Sequence, residues 1–349
     1  MPDMVFEKGR NSPLVLVETE NLTREEWLDW RRKGIGGSDA AAIMGISPFR
    51  TARDIYYDKL GIAAVEEAEG NWVALEMGHL LEDLVAKIFE RKTGLKIYQI
   101  KKMFRHPLFP FMLADVDYFI EFADGTIGIL ECKTTNYNCQ NKWSNDSLPV
   151  NYEYQVRHYM AVLNLDRAMI ACLYGNNETE FFIRCVERDL DIEEDLIAEE
   201  EYFWKENVEK AVEPPYTEKP DLVLESIRRH CGPAEKDADQ VKLDRKHILS
   251  LERYLKLKEE KAQHEGEAKK LDGLMKEACV EIVEELGVSC SGILKDGPVE
   301  YLVSYNPAYR TGIDKKGLER LKVQYPDVYD DYVNTTESRR FSVKKKGAA

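Results

Sequence analysis

The sequence contains no run of 18 apolar residues, and this absence excludes a helix that crosses a membrane. Its seven cysteines are odd in number, scattered, and never spaced as C-x-x-C. That pattern argues against a disulfide framework or a zinc site and indicates reduced thiols. The first residues, MPDMVFEKGRNSP, lack the apolar centre of a signal peptide. Together these absences predict a cytoplasmic protein with no membrane partner.

Positive charge is also scarce, since the 349-residue chain carries a net charge of −15. However, the segment 187–225 alone holds fifteen acidic and four basic residues, a net charge of −11. The rest of the chain is therefore close to neutral, and a nucleic-acid partner is not excluded. A hydrophobic content of 44% and this length predict two domains, or one large core with an appendage.

Apolar spacing predicts a mixed order of helices and strands. Residues 71–93 carry apolar side chains at helical intervals, and residues 151–166 form a second helix. Between them we predict three strands, and after them two more, over 95–104, 111–122, 126–133, 167–175 and 179–186. The order predicts an α/β fold with a mixed sheet.

The sequence after the Pro-rich stretch EPPYTEKP changes in character. Residues 238–286 are rich in Glu, Lys and Leu, and predict either a two-helix hairpin or one long helix. We predict an enzyme core over 1–215, a linker and helical segment over 216–290, and a small α+β unit with a basic tail over 291–349.

Four charged residues interrupt two apolar strands in ADVDYFIEFADGTIGILECKTTN: Asp115, Asp117, Glu131 and Lys133. Charged side chains are rarely left in buried strands unless they are paired or bind something. A two-residue turn would place Glu131 on the wrong side of the hairpin. A three-residue loop ending at a left-handed Gly125 opposes Asp117 to Glu131 and brings the acids together, and we predict this loop.

Carboxylates that share one patch repel each other, and one lysine cannot neutralise them all. A divalent cation can, and all-oxygen ligation favours a hard ion such as Mg²⁺ or Mn²⁺. The backbone carbonyl of Cys132 is placed to supply a further oxygen, and Lys133 to stabilise charge on a phosphate. A buried cluster of ion pairs is the alternative interpretation.

Four blocks, in order, make the chain resemble the PD-(D/E)xK nuclease superfamily. They are Trp27-x3-Arg31 with GIGGSDAAAIMG, then MGHLLEDLVAKIFE, then ADVD-x13-ECKT, then YQVRHYM. More narrowly, the chain resembles the YqaJ-type viral recombinases related to phage lambda exonuclease. The resemblance implies a restriction-endonuclease-like core, with a mixed central sheet flanked by helices. It also implies a Mg²⁺-dependent exonuclease that degrades one strand of linear duplex DNA from its 5′ end, with Mn²⁺ as a substitute ion.

The family motifs can be carried over residue by residue. Asp117 and Glu131 match the principal metal ligands, and Lys133 matches the catalytic lysine. Glu82 matches a helical acid that contacts a second metal ion, and helical geometry places it at the edge of the buried stripe. Gln155 matches the glutamine that orients the attacking water.

Two further residues match a grip for the terminal 5′-phosphate of the DNA. Arg31 offers a guanidinium fork and Ser38 a hydroxyl near a helix N-terminus. The chain departs from lambda-type enzymes at Asp115, where those enzymes carry a serine that contacts phosphate. This departure puts a strict dependence on a 5′-phosphate in question.

The resemblance also implies a biological setting: a phage- or prophage-encoded protein in a bacterial host. Family members work beside a single-strand annealing protein of the RecT or Bet kind during recombination, and lambda exonuclease is a trimer. We therefore expect double-stranded DNA ends, an annealing protein and further copies of this chain as partners. Two alternative functions stay open: a DNA-binding scaffold that recruits an annealing partner, and a structure-specific endonuclease.

Overall fold

The computed structural model describes residues 12–65, 72–232, 234, 237–309 and 312–334. The chain divides into an N-terminal unit, Met1–Pro233, and a C-terminal unit, Ala234–Ala349. The N-terminal unit contains β1 (Leu14–Glu18), α1 (Arg24–Arg31), β2 (Ile35–Gly36), α2 (Gly37–Ile43), α3 (Ala52–Lys59), α4 (Trp72–Thr93), β3 (Lys96–Tyr98), β4 (Lys102–Arg105), β5 (Met112–Ala114), β6 (Tyr118–Glu121), β7 (Ile127–Thr134), α5 (Val150–Leu163), β8 (Arg167–Leu173), β9 (Phe181–Glu187), α6 (Leu190–Tyr202) and α7 (Pro220–Cys231). A short 3₁₀ helix, Tyr137–Trp143, precedes α5, and a π-helical segment, Phe203–Val208, continues α6.

The strands form two mixed sheets. The larger sheet has the order β3-β6-β7-β8-β9, and its β7–β8 pair is parallel while the other pairs are antiparallel. The smaller sheet has the order β1-β4-β5-β2, with β2 parallel to β5. The predicted mixed α/β architecture is confirmed.

The predicted single strands over 95–104 and 111–122 are wrong in one respect, because each is split between the two sheets. In the second case β5 ends at Ala114 in the smaller sheet, and β6 begins at Tyr118 in the larger one. The chain crosses from one sheet to the other at Asp115–Asp117. Both acids therefore lie in an irregular segment where side chains are not confined to a sheet face.

The hairpin of β6 and β7 has the predicted three-residue loop. Tyr118 pairs with Leu130 and Glu121 with Ile127, and the Phe122 N–H donates to the Thr126 carbonyl at 2.9 Å. Gly125 has a φ of +80°, in the left-handed region that glycine adopts without strain. The predicted loop is confirmed, and Asp117 and Glu131 lie directly beside the last residue pair of the hairpin, Tyr118 and Leu130.

Helices pack on both faces of the larger sheet. On one face, Val85 and Phe89 of α4 contact a cluster that includes Ile120 and Leu130. On the other face, α5 packs against alternate residues of the same strands, such as Ile129. Because Glu131 lies two positions after Ile129 in β7, its side chain emerges on the α5 face.

The N-terminal unit includes α7, which follows the Pro-rich stretch where the predicted core ended at residue 215. Asp54 of α3 accepts hydrogen bonds from Thr51 N at 2.8 Å and from Ser226 Oγ of α7 at 2.8 Å. Arg229 of α7 also pairs with Asp54 at 3.3 Å. These buried contacts attach α7 to the core.

The C-terminal unit contains α8 (Ile248–Leu286), β10 (Ser291–Asp296), β11 (Val299–Ser304), α9 (Lys315–Gln324) and α10 (Pro326–Tyr332). Of the two structures predicted for 238–286, the long helix is the one observed. No described residue from 237 onward is buried. The predicted basic tail lies outside the described residues. Across the part of the chain that the structure describes, no helix is long and apolar enough to cross a membrane.

Candidate active site

The carboxylate of Asp117 is held at the start of the hairpin by the strand opposite. Its Oδ2 accepts a hydrogen bond from the Cys132 N–H at 2.8 Å. Burial, followed by repulsion from Glu131 and Glu82, raises the pKa of Asp117 well above its usual value. Cys132 thus contributes its backbone N–H to the site, while its side chain packs on the α4 face of the sheet.

Glu131 is the most buried of the candidate acids, with 3% of its surface exposed. Its Oε1 accepts hydrogen bonds from Lys133 Nζ and from Gln155 Nε2, both at 2.6 Å. Its Oε2 is buried and has no hydrogen-bond partner. An unsatisfied buried carboxylate oxygen is costly unless a cation or a donor occupies the space in front of it.

Lys133 lies between the acids and an aromatic ring. Its Nζ is 5.0 Å from the centroid of the Tyr152 ring, in addition to its ion pair with Glu131. Although burial opposes the charge, Glu131 and Asp117 raise the pKa of Lys133 above its ordinary value. The amine is therefore a fixed positive charge near neutral pH.

Glu82 approaches the same place from α4. Burial, followed by repulsion from Glu131, raises the pKa of Glu82. A cavity of about 470 Å³ brings together six of the residues selected from the sequence: Arg31, Ser38, Glu82, Asp117, Glu131 and Gln155. Lys133 donates to Glu131 and the Cys132 N–H donates to Asp117, but neither residue lines the cavity.

The acids fit a cation by their chemistry. Their donor atoms are all oxygens, and Glu131 Oε2 lacks a partner. Burial, followed by repulsion among the acids, raises the pKa values of Asp117 and Glu82. However, within the described residues no group of three or more His, Cys, Asp or Glu side chains is arranged so that it could hold a metal ion. Binding of a cation would therefore require these side chains to move closer together.

A second cluster fixes the residues predicted to bind phosphate. Arg31 Nη2 donates to Ser38 Oγ and to Asp39 Oδ1, the latter at 3.2 Å. Asp39 also pairs with Lys59 at 2.7 Å, and both side chains are at most 1% exposed. Burial opposes ionisation of Asp39, but Lys59 and Arg31 lower its pKa strongly.

The start of α2 lies beside the cavity and is formed by two glycines and Asp39. Gly36 occupies the N-cap position, and Asp39 lies in the first turn, where its Oδ2 accepts from the Gly36 N–H at 3.1 Å. A Cβ on Gly37 would lie 2.6 Å from Cε1 of Tyr159. The glycines therefore let α2 approach α5 closely, which sets Ser38 at the cavity.

Asp115 lines the same cavity but differs from the other acids in its contacts. Its Oδ2 accepts a hydrogen bond from Trp27 Nε1 at 2.6 Å. The Trp27 ring also lies 5.2 Å from the guanidinium carbon of Arg31. Burial raises the pKa of Asp115, whereas Trp27, Lys101 and Arg31 act in the opposite direction.

Comparisons with known proteins identify the family of this chain. Residues 26–166 match the YqaJ-like viral recombinase domain. The chain is 32% identical over 336 residues to a Bacillus subtilis (strain 168) protein named "Uncharacterized protein YqaJ", covering 95% of this chain and 97% of that protein. The chain belongs to the YqaJ-like viral recombinase family. The resemblance found in the sequence is confirmed.

Solved structures are less similar to this YqaJ-like chain. An alkaline exonuclease from Laribacter hongkongensis has a TM-score of 0.45 and 18% identity, over 54% of this chain and 94% of that one. A phage related exonuclease from Haemophilus somnus 129PT has a TM-score of 0.37 and 15% identity, over 51% of this chain and 96% of that one.

The sequence analysis missed several residues of the site in the YqaJ-like domain. Tyr159 lies one helical turn after Gln155, and its hydroxyl is 3.4 Å from Gln155 Nε2, so helical spacing could have identified it. His79 and Lys101 line the cavity. No sequence signal distinguishes them, or Lys59, from solvated residues.

Proposed function

We propose that this protein is a metal-dependent exonuclease that degrades one strand of linear double-stranded DNA in the 5′→3′ direction. The single strands so exposed would serve annealing-type phage recombination. The observation that carries the proposal is the convergence of Asp117, Glu131 and Glu82 on one cavity, with Lys133 beside them and the Oε2 of Glu131 unpartnered.

The larger sheet, with α4 and α5 on its faces, is proposed to be a PD-(D/E)xK core. In this assignment Asp117 and Glu131 would be the principal ligands of Mg²⁺, or of Mn²⁺ as its substitute. Glu82 would hold a second ion, and the Cys132 carbonyl would supply another oxygen. When bound, such ions supply water activation and neutralise charge on the phosphate.

The protein's own groups perform the remaining tasks. Gln155 and Lys133 both donate to Oε1 of Glu131, which fixes that carboxylate and leaves its Oε2 without a hydrogen-bond partner. The charged Lys133 stabilises negative charge on the scissile phosphate. Phosphodiester hydrolysis requires the barrier to fall by roughly 20 kcal/mol, and one such donor provides about 3–4 kcal/mol. Charge neutralisation by the metal must therefore carry most of the effect.

The Arg31 and Ser38 side chains are proposed to hold the 5′ end of the strand that is cut. Asp39 pairs with both Arg31 and Lys59 and so fixes Arg31. Arg31 and Ser38 line the cavity, whereas Asp39 and Lys59 do not. The proposed partners are duplex ends, an annealing protein of the RecT or Bet kind, and further copies of the chain in a trimer.

The first experiment is a digestion assay on linear duplex DNA with and without Mg²⁺. We expect Mg²⁺-dependent release of nucleotides, which Lys133→Ala and Asp117→Ala abolish without loss of folded structure by circular dichroism. Lys142→Ala, which removes an exposed lysine outside the cavity, is the matched control and should digest normally. Normal digestion by Lys133→Ala would overturn the proposal.

A second experiment separates exonuclease from endonuclease and scaffold functions. Duplexes labelled at either the 5′ or the 3′ end should lose the 5′ label first, while covalently closed circular DNA should stay intact. Cleavage of the closed circle would instead indicate an endonuclease. DNA binding without any Mg²⁺-dependent cleavage would indicate a scaffold.

A further inference from the structure

The cavity is rich in acids, although the proposed substrate is a polyanion. Among the described residues that line it, the permanent cations are Arg31 and Lys101. The same lining includes five acids: Glu20, Glu82, Asp115, Asp117 and Glu131. A nucleic-acid strand gains affinity from cations that are available to its phosphates. The state of each of the two cations therefore matters for binding.

The two cations differ in how far they are already engaged. Arg31 donates to Ser38 Oγ and to Asp39 Oδ1. The amine of Lys101, by contrast, has no hydrogen bond and no salt bridge within the described residues. It is therefore free to bind an anion that enters the cavity.

The backbone of Lys101 is fixed, although its side chain is exposed. Residues 99–101 are the segment where the chain passes from β3 in the larger sheet to β4 in the smaller one, and all three line the cavity. The Thr19 N–H donates to the Lys101 carbonyl at 2.8 Å, and the Lys102 N–H donates to the Ile100 carbonyl at 2.8 Å. The base of the side chain is thus held at the cavity, while its amine stays mobile on a flexible stem. Such a compact, rotatable charge is well suited to phosphate oxygens.

We propose that Lys101 binds one internucleotide phosphate of the strand that is cut, and so holds that strand beside the acids. This inference rests on the proposed function. It adds a contact that is separate from the grip of Arg31 and Ser38 on the end of the strand. A phosphate contact of this kind fixes the position of the strand and reads no sequence.

The first test measures how the affinity for duplex DNA depends on salt. The full-length chain is titrated into a fluorescein-labelled duplex in EDTA, and anisotropy gives the Kd from about 50 to 200 mM NaCl. Lys101→Met keeps the stem but removes the charge. We expect its affinity to fall by about three- to tenfold at the lowest salt concentration, and the slope of log Kd against log salt to fall by about 0.7–0.9, the share of one phosphate contact. Lys101→Arg keeps the charge and should keep the slope.

Lys102→Met is the matched control. It makes the same substitution at the next residue, but Lys102 pairs with Glu18 at 3.5 Å and does not line the cavity. Its slope should equal that of the wild type. An unchanged slope in Lys101→Met, or an equal decrease in both variants, would overturn the inference.

The second test locates the contact on the DNA. Duplexes that carry a single uncharged methylphosphonate linkage, moved stepwise from the 5′ end, are bound to the wild type and to Lys101→Met. At the linkage that Lys101 binds, the two changes together should cost no more affinity than either one alone, whereas at other linkages their effects should add. If the effects add at every linkage, Lys101 acts only by neutralising the nearby acids, and the inference is wrong. If the wild type binds the duplex but does not digest it with Mg²⁺, the proposed function fails, while the slope and the linkage scan still decide the role of Lys101.

Discussion

Replacement of Asp117 by asparagine should stabilise the metal-free protein while it removes the activity. Asp117 directly precedes Tyr118, which pairs with Leu130, and Glu131 directly follows Leu130, so the two acids are neighbours at the open end of the hairpin. Two unit charges about 6 Å apart at an effective dielectric constant of about 20 repel by about 2–3 kcal/mol. Lys133 offsets part of this repulsion, so we expect a gain of about 1–2 kcal/mol in the free energy of unfolding. Asparagine can still accept from the Cys132 N–H, so the backbone contact is kept.

Tryptophan fluorescence is the suitable assay for this change. All five tryptophans lie in the N-terminal unit, so their signal follows the unfolding of that unit alone. In EDTA the melting temperature of Asp117→Asn should exceed that of the wild type by several degrees, because about 1 kcal/mol corresponds to about 2–4 °C at this size. On addition of about 10 mM Mg²⁺ the wild type should gain about 1.4 kcal/mol if its Kd is about 1 mM. The variant should gain much less.

A second aspartate on the same hairpin provides the control of opposite sign. The pKa of Asp124 is lowered to about 2 by hydrogen bonds from the hydroxyl and the N–H of Thr126 and from Arg167. This carboxylate is therefore stabilised by its surroundings, and Asp124→Asn should lower the melting temperature. The reasoning is refuted if Asp117→Asn is no more stable than the wild type in EDTA, or if Mg²⁺ stabilises both proteins equally.

Three further predictions concern the surroundings of the site. Lys59→Met leaves the carboxylate of Asp39 buried without its main partner, and should lower the free energy of unfolding in urea by about 3–5 kcal/mol. If the double variant with Asp39→Asn loses as much stability as the two single variants added together, the two residues are not coupled and the pairing is contradicted. Asp54 has a lowered pKa because backbone and side-chain donors outweigh the effect of its burial. The ionised Asp54 therefore contributes stability above about pH 4, and this stability is lost as the pH falls through the pKa of the folded state. The loss of stability in Asp54→Asn should accordingly become smaller on acidification, and a loss that stays constant with pH would contradict this. Gly37→Ala places a Cβ 2.6 Å from the Tyr159 ring and should cost about 1–3 kcal/mol, whereas an unchanged urea midpoint would show that α2 can shift freely.

The register of the active-site hairpin could be predicted because it depends on local chemistry. A loop that ends in a left-handed Gly125 fixes which residues face each other, and the alternation of strand side chains does the rest. Glu82 was assigned to the site by its match to the family motif, and helical periodicity agrees because it places Glu82 at the edge of the buried stripe. Both cases involve geometry that a few neighbouring residues determine.

The crossing between sheets at Asp115–Asp117 was not predictable in the same way. The apolar pattern of residues 111–122 continues across Asp115–Asp117 without interruption. The two strands are separate only because β5 and β6 pair with strands of different sheets. The choice between a hairpin and a long helix over 238–286 was likewise open. Helical spacing is the same in both, and the difference lies in whether the chain bends.

The sequence by itself determined the family, the mixed α/β class and the hairpin with its opposed acids, because motif order, periodicity and turn chemistry are local properties. The tertiary structure decided which donor group each acid meets. Gln155 reaches Glu131, Lys59 reaches Asp39 and Trp27 reaches Asp115 across 24, 20 and 88 positions of the chain. Such pairs form only when separate elements pack together, and no spacing along the chain records them.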